Sequence, residues 1–230
     1  MQYEYIIFNM IVLAGPLFLG MLKPFYFLHR WANAFLAIVI VGIPFIVWDS
    51  IVTGAHWTFN QKYILGIYFF NLPLEEWLFF LTVPFACLYT WEMISQRTGD
   101  FSIEKIIHLR KWLYLLIIPG FVLFFKGFEY TGLVFIFITI AVFIDQVLRT
   151  DLIAQKRFYL YLAIIIGFTI IFNGFLTWRP VVLYGEEFQM GFRVITIPIE
   201  DFGYGISLLF LNTSIFEKLN HLKSVNLKTA

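Results

Sequence analysis

The chain has 230 residues, of which 60% are hydrophobic, 21% aromatic and only 13% charged, and its mean hydropathy is +0.82. Soluble domains carry roughly 25% charged residues, so the composition excludes a water-soluble globule, and its wealth of aromatics excludes a disordered chain. A net charge of +1 leaves no footprint for nucleic acid, and the single cysteine, Cys87, excludes an intrachain disulfide framework or a Cys-based zinc site.

The apolar runs are continuous, unlike the alternating ten-residue segments of a membrane barrel. They predict an all-α integral membrane protein of seven transmembrane helices: Tyr3–Met21, Asn33–Val52, Glu76–Ile94, Trp112–Phe125, Tyr130–Leu148, Phe158–Trp178 and Pro198–Ile215. The first run has no basic residue ahead of it and reads as a mature helix, not a signal peptide. The fourth is short and ends in a tight turn at Lys126-Gly127. Twelve of the 16 Lys and Arg residues fall in the connections of one face, which the positive-inside rule puts in the cytoplasm of a cell-membrane protein. The N-terminus is then outside and the C-terminus inside, as an odd number of spans requires.

The sequence repeats. Asn71-Leu72-Pro73-Leu74-Glu75-Glu76-Trp77 matches Thr196-Ile197-Pro198-Ile199-Glu200-Asp201-Phe202 at an offset of 125, with Thr90-Trp91-Glu92 on Ile215-Phe216-Glu217 at the same offset. Phe35–Ile38 falls on Tyr161–Ile164 at 126, and Trp48-Asp49 on Phe172-Asn173 at 124. Spans one to three therefore match five to seven, and the fourth restores the orientation needed for a parallel copy. Residues 1–97 form the first three-helix repeat, 98–129 a cytoplasmic loop and linker helix, and 130–230 the second repeat.

Each repeat carries Pro-apolar-acid-acid ahead of an aromatic. Proline and acids suit the first turn of a helix, which explains the motif as a plain helix start. Yet apolar chain flanks the acids on both sides, and carboxyls in such surroundings are costly enough to mark function. Glu75, Glu76, Glu200 and Asp201 are the candidate catalytic residues, paired so that one carboxyl can hold a proton while another stays ionised. Trp77, Phe79, Phe80, Phe202 and Tyr204 lie beside them, and ring faces attract cations by about 0.5–2 kcal/mol. Glu92 and Glu217 lie about 24 Å along their helices from the first acids and read as interface anchors. Asp49 and Asn173 could orient a motif carboxyl or make a turn. Arg179 could pair with either acid group. Gly203-Tyr204-Gly205 lacks the third glycine of a nucleotide loop and reads as helix packing. His29, His56, His108 and His221 are scattered in loops, so a histidine-built metal site is not expected.

The two motifs Pro73-Leu74-Glu75-Glu76 and Pro198-Ile199-Glu200-Asp201, in a duplicated seven-span chain, resemble the lycopene cyclase domain family in its fused two-unit form. The resemblance implies closure of the linear ends of lycopene to β-rings, β-carotene biosynthesis with no net redox change. It implies neither cofactor nor metal, with a linear carotenoid and membrane lipid as partners. Two alternatives stand beside it. One is a cyclase for a single end or for a C50 or modified carotenoid. The other is a non-catalytic carotenoid carrier or proton-coupled transporter, which Pro84 disfavours because Leu208-Leu209 stands at the matching place. Pigment colour in a lycopene-making host separates the classes.

Overall fold

The computed structural model describes residues 2–99 and 101–229 and is mostly helical. Backbone polar groups inside a bilayer must be satisfied within the segment, which favours helix wherever the chain is continuously apolar. Five helical segments are long and apolar enough to cross a membrane: Leu28–Val52, Leu74–Arg97, Ile106–Phe125, Glu129–Leu148 and Lys156–Trp178. We number the helices α1 (Glu4–Leu19), α2 (Trp31–Val52), α3 (Leu74–Arg97), α4 (Arg110–Tyr114), α5 (Ile117–Phe125), α6 (Glu129–Leu148), α7 (Lys156–Phe168), α8 (Gly174–Trp178) and α9 (Ile199–Thr229). A π-helical turn, Thr169–Asn173, joins α7 to α8. The strands are β1 (Trp57–Phe59), β2 (Tyr68–Phe69), β3 (Leu72–Pro73), β4 (Val182–Tyr184), β5 (Arg193–Val194) and β6 (Ile197–Pro198).

Two expectations change. The fourth segment begins earlier than Trp112 and is broken between α4 and α5, with Pro119 in the first turn of α5, where its missing N–H costs nothing. The last helix does not end at Ile215 but runs on to Thr229, so His221 is helical and not in a loop. Polarity marks where chain leaves an apolar layer. Helical continuity does not depend on hydropathy, and no Gly or Pro follows Gly205 to interrupt the helix.

The same run of elements recurs 125 residues later, from β2, β3 and α3 to β5, β6 and α9. Tyr68 pairs with Pro73 and Phe69 with Leu72 in the first hairpin; Arg193 pairs with Pro198 and Val194 with Ile197 in the second. Gly66 and Gly191 both adopt φ +77°, a left-handed conformation that favours glycine. The hairpin turns differ. Phe70 and Asn71 are both left-handed (φ 48° and 69°), whereas in the second turn only Ile195 is (φ 61°).

α1 packs along α3, and α6 along α9. Asn9 fastens the first pair, donating to the Glu75 carbonyl at 3.0 Å and accepting from the Thr82 hydroxyl at 2.7 Å. The residue 125 positions on is Val134, and there the second pair closes by bare proximity: a Cβ on Gly203 would lie 2.3 Å from Val134 Cγ1. That is the packing role expected of Gly203. The halves then interlock, because α2 packs on α9 and α7 on α3. β1 and β4, one strand from each half, pair antiparallel with Thr58 opposite Leu183, again 125 apart. The extra helix α5 lies on α6, where Gly120 and Gly132 let the backbones touch.

At the end of the bundle away from the hairpins, Arg110 bridges Asp145 at 2.7 Å and Asp151 at 2.8 Å, tying α4 to the end of α6 and the turn after it. Glu92 faces Arg30 at 3.6 Å, and Glu217 accepts the Trp91 indole N–H at 2.6 Å. Both acids therefore brace helices at that end. Arg179 pairs with Glu4, the first residue of α1, through two bonds of 2.9 and 2.6 Å.

Candidate active site

The two acidic motifs open α3 and α9, with Pro73 and Pro198 as the last strand residues before each helix. Each helix start then places consecutive carboxyls about 100° apart around its axis. That rotation divides the work. The first acid of each pair turns toward its own hairpin loop. Glu75 Oε1 accepts the Leu65 N–H at 2.6 Å, and Glu200 Oε1 accepts the Met190 N–H at 2.9 Å, an equivalent bond 125 residues on. Glu200 also accepts the Thr131 hydroxyl at 2.6 Å. Both are buried, at 0% and 2% exposure.

The second acids, Glu76 and Asp201, line a single elongated cavity of about 390 Å³ between the halves. Glu75 and Glu200 do not line it. Along α3 the cavity extends from Glu76 to Thr90, about 21 Å at 1.5 Å per residue. Its walls are largely apolar and aromatic: Phe79, Phe80, Phe168, Phe172 and Tyr204 take part. Of the aromatics expected beside the acids, Trp77 and Phe202 stand outside it. At the acid end the β1–β4 pair forms the floor, through Trp57, Phe59, Val182 and Tyr184.

Tyrosines anchor both second acids. The Tyr5 hydroxyl donates to Glu76 at 2.5 Å, and that of Tyr130 to Asp201 at 2.6 Å; the two tyrosines are 125 residues apart, as are the two acids. Beyond that the environments diverge. Asp201 also accepts the Tyr184 hydroxyl at 2.6 Å and the Asn173 amide at 2.7 Å, for three donors in all. Glu76 instead faces a second carboxyl, Asp49, which lines the same cavity. Asp49 is held by the Trp57 indole N–H at 2.5 Å and the Thr53 hydroxyl at 3.2 Å. Asp49 and Asn173, matched in the repeat, thus serve Glu76 and Asp201 respectively, and neither serves as a turn former. The symmetry is broken where an Asp in one half becomes an Asn in the other, and where Phe59 becomes Tyr184.

The sequence reading missed Tyr5, Tyr130 and Tyr184, and undervalued Asp49. Extending the repeat upstream at a constant offset of 125 pairs Tyr5 with Tyr130, so that signal was available in the sequence. Tyr184 has no tyrosine counterpart and carried no such mark.

A helical membrane protein with two matched halves that both bring carboxyls to a shared apolar cavity, Asp49 and Glu76 from the first and Asp201 from the second, is the class defined by this geometry. The model of the lycopene cyclase family matches the chain twice, over residues 2–94 and 127–219, an interval of 125. The chain belongs to the lycopene cyclase family, as two family units in one polypeptide. No curated protein and no solved structure matches it.

Loss of either first acid leaves a loop N–H without its acceptor, which costs about 1–3 kcal/mol. Glu75→Ala and Glu200→Ala should therefore each lower the thermal unfolding midpoint measurably, whereas Tyr184→Phe, which keeps two of the three donors to Asp201, should lower it less. Unchanged melting of both alanine variants would remove the bracing role.

Proposed function

We propose that the chain is a lycopene β-cyclase, closing linear carotenoid ends to β-ionone rings without net redox change. The observation that carries this reading is the convergence of Glu76 and Asp201 on one largely apolar, aromatic cavity, each in a different hydrogen-bonding setting. Family membership supports a carotenoid substrate and a cyclase activity in general.

Two carboxyls in contact within a low-dielectric site cannot both ionise, so Asp49 and Glu76 share a proton. That pair is the acid. It gives the proton to one carbon of the terminal double bond, leaving a tertiary cation on the other. An internal double bond attacks the cation, a ring carbon–carbon bond forms, and the charge moves to a ring carbon. Loss of a neighbouring ring proton restores a double bond, so the product is an isomer of the substrate. Asp201 accepts from three donors and offers none, which suits it to steady the cation and to take that proton. The faces of Phe79, Phe80 and Tyr204 attract the cation, and the apolar walls disfavour water that would quench it. Glu75 and Glu200 are positioning residues: they hold the hairpins from which α3 and α9 start. The reading requires no cofactor and no metal.

We also propose the arrangement in the membrane: two parallel three-helix units, 1–97 and 130–230, joined through 98–129, in seven spans. The acid end then faces outward and the Arg110 end faces the cytoplasm of a cell membrane. A reporter fused after Ala230 should be cytoplasmic, and an external signal from that fusion would invert the arrangement.

Run in heavy water over many turnovers, each ring should gain about one deuterium at the protonated carbon, and purified protein should need no added flavin or nicotinamide. Rings formed with no label at any time would exclude a carboxyl recharged from water as the proton source.

A further inference from the structure

The cavity is one-sided although the halves that build it are equivalent. Val12 and Gly15 line it from α1, and Gly15 has open space where a Cβ would stand. The corresponding residues of α6, 125 positions on, are Phe137 and Ile140. The ring of Phe137 lies 4.6 Å from that of Phe45 on α2, and both stand against Tyr204, at 6.1 and 5.0 Å. The space that would repeat the cavity is filled with aromatic side chains.

The flanks differ in the same sense. α1 and the π-helical turn after α7 meet at Phe8, whose ring stands 5.9 Å from Phe172. Further along, Ile11 and Leu19 line the cavity while remaining 64% and 43% exposed, with Ile165 and Phe168 on the facing wall. That is an apolar mouth opening sideways, toward the bilayer. Between α6 and α2 the equivalent gap is spanned by α5. Gly120 and Gly132 bring α5 hard against α6, and Phe124 reaches the Trp48 ring of α2 at 6.3 Å. The linker helix, which has no counterpart in the other half, covers one of two related openings.

We infer that the chain has one substrate tunnel, entered from the lipid between α1 and α7, and that its symmetry-related copy is sealed by Phe45, Phe137 and α5. The inference rests on the cyclase reading and adds to it the manner of working. One tunnel ending in one acid cluster takes one end of a linear polyene at a time, with the remainder of the molecule lying back toward Leu19 and the bilayer. The one-ringed product must leave, turn end for end and re-enter before a second ring can close. The chemistry of each visit is the isomerisation already described, with one proton added and one removed. Fusing two units has produced one working tunnel, with the second half supplying Asp201 and its donors.

The test is an isotope trap. Purified protein in detergent is given labelled lycopene for about one turnover, then a large excess of unlabelled lycopene. Separate visits predict that label stays in the one-ringed product and that labelled two-ringed product falls about tenfold or more against an unchased control. Label passing undiminished into a two-ringed product would overturn the inference while leaving the cyclase reading intact. No ring in either arm would overturn both. A paired substitution tests the opening itself. Gly15→Trp fills the mouth, and Ile140→Trp places the same ring at the equivalent position of α6, where the side chain is 39% exposed. The first should cut ring formation about tenfold and the second less than about twofold, at equal melting temperature. Gly15→Leu, a smaller filler, should lower turnover in the same direction should the tryptophan variant fail to fold. Equal loss at both positions, or no loss at Gly15, contradicts a single lateral entrance.

Discussion

Everything in this fold depends on keeping carboxyls inside an apolar helical bundle. An uncompensated buried charge is prohibitively costly, so each acid must find a partner or share a proton. The chain meets that constraint five times within a small region. Glu75 and Glu200 accept backbone N–H groups from the hairpin loops, Asp201 accepts two tyrosines and an amide, Asp49 accepts Trp57, and Glu76 accepts Tyr5. Some of these bonds also fix the architecture, because those of Tyr5 and Tyr130 each cross 71 residues of sequence. Tyr5 and Tyr130 hold α1 and α6 to the starts of α3 and α9, and Asn173 reaches α9 from the π-helical turn.

Duplication supplies the two acids, and divergence makes them different. Perfect twofold copies would place the two carboxyls in identical surroundings, with nothing but their mutual repulsion to tell them apart. Asp49 in place of an asparagine, and Tyr184 in place of a phenylalanine, give the two acids different surroundings. The π-helical turn at Thr169–Asn173 has no counterpart in α2, and it carries both Asn173 and the cavity-lining Phe172. Such turns in otherwise regular helices commonly mark functional positions.

Much of this was legible in the sequence because the signals are local or periodic. Continuous apolar runs gave the helices, Pro73 and Pro198 their starts, and the offset of 125 the matched halves. What escaped is what depends on rotation about a helix axis and on packing between distant segments. Glu75 and Glu76 are adjacent letters, yet one turns to the Leu65 amide and the other to the cavity. Asp49 sits at the end of α2, and its sequence position leaves open whether it orients a motif carboxyl or makes a turn until α2 is laid between α3 and α9. The end of α9 was misjudged because hydropathy reports the apolar layer and says nothing of helical continuity beyond it. The pairing of Arg179 with Glu4 spans 175 residues, a distance over which no sequence pattern acts.

The central claim is that the two motifs serve one cavity rather than two independent sites. Ring formation measured for Glu76→Gln, Asp201→Asn and the double variant, each at matched folded yield, addresses it directly. A shared site predicts that each single change lowers turnover by about tenfold or more and that the double variant is far less impaired than the product of the two, as for groups acting as one unit. Two independent sites predict that each single variant keeps about half the wild-type rate and that only the double variant is inactive, and that result would contradict the account.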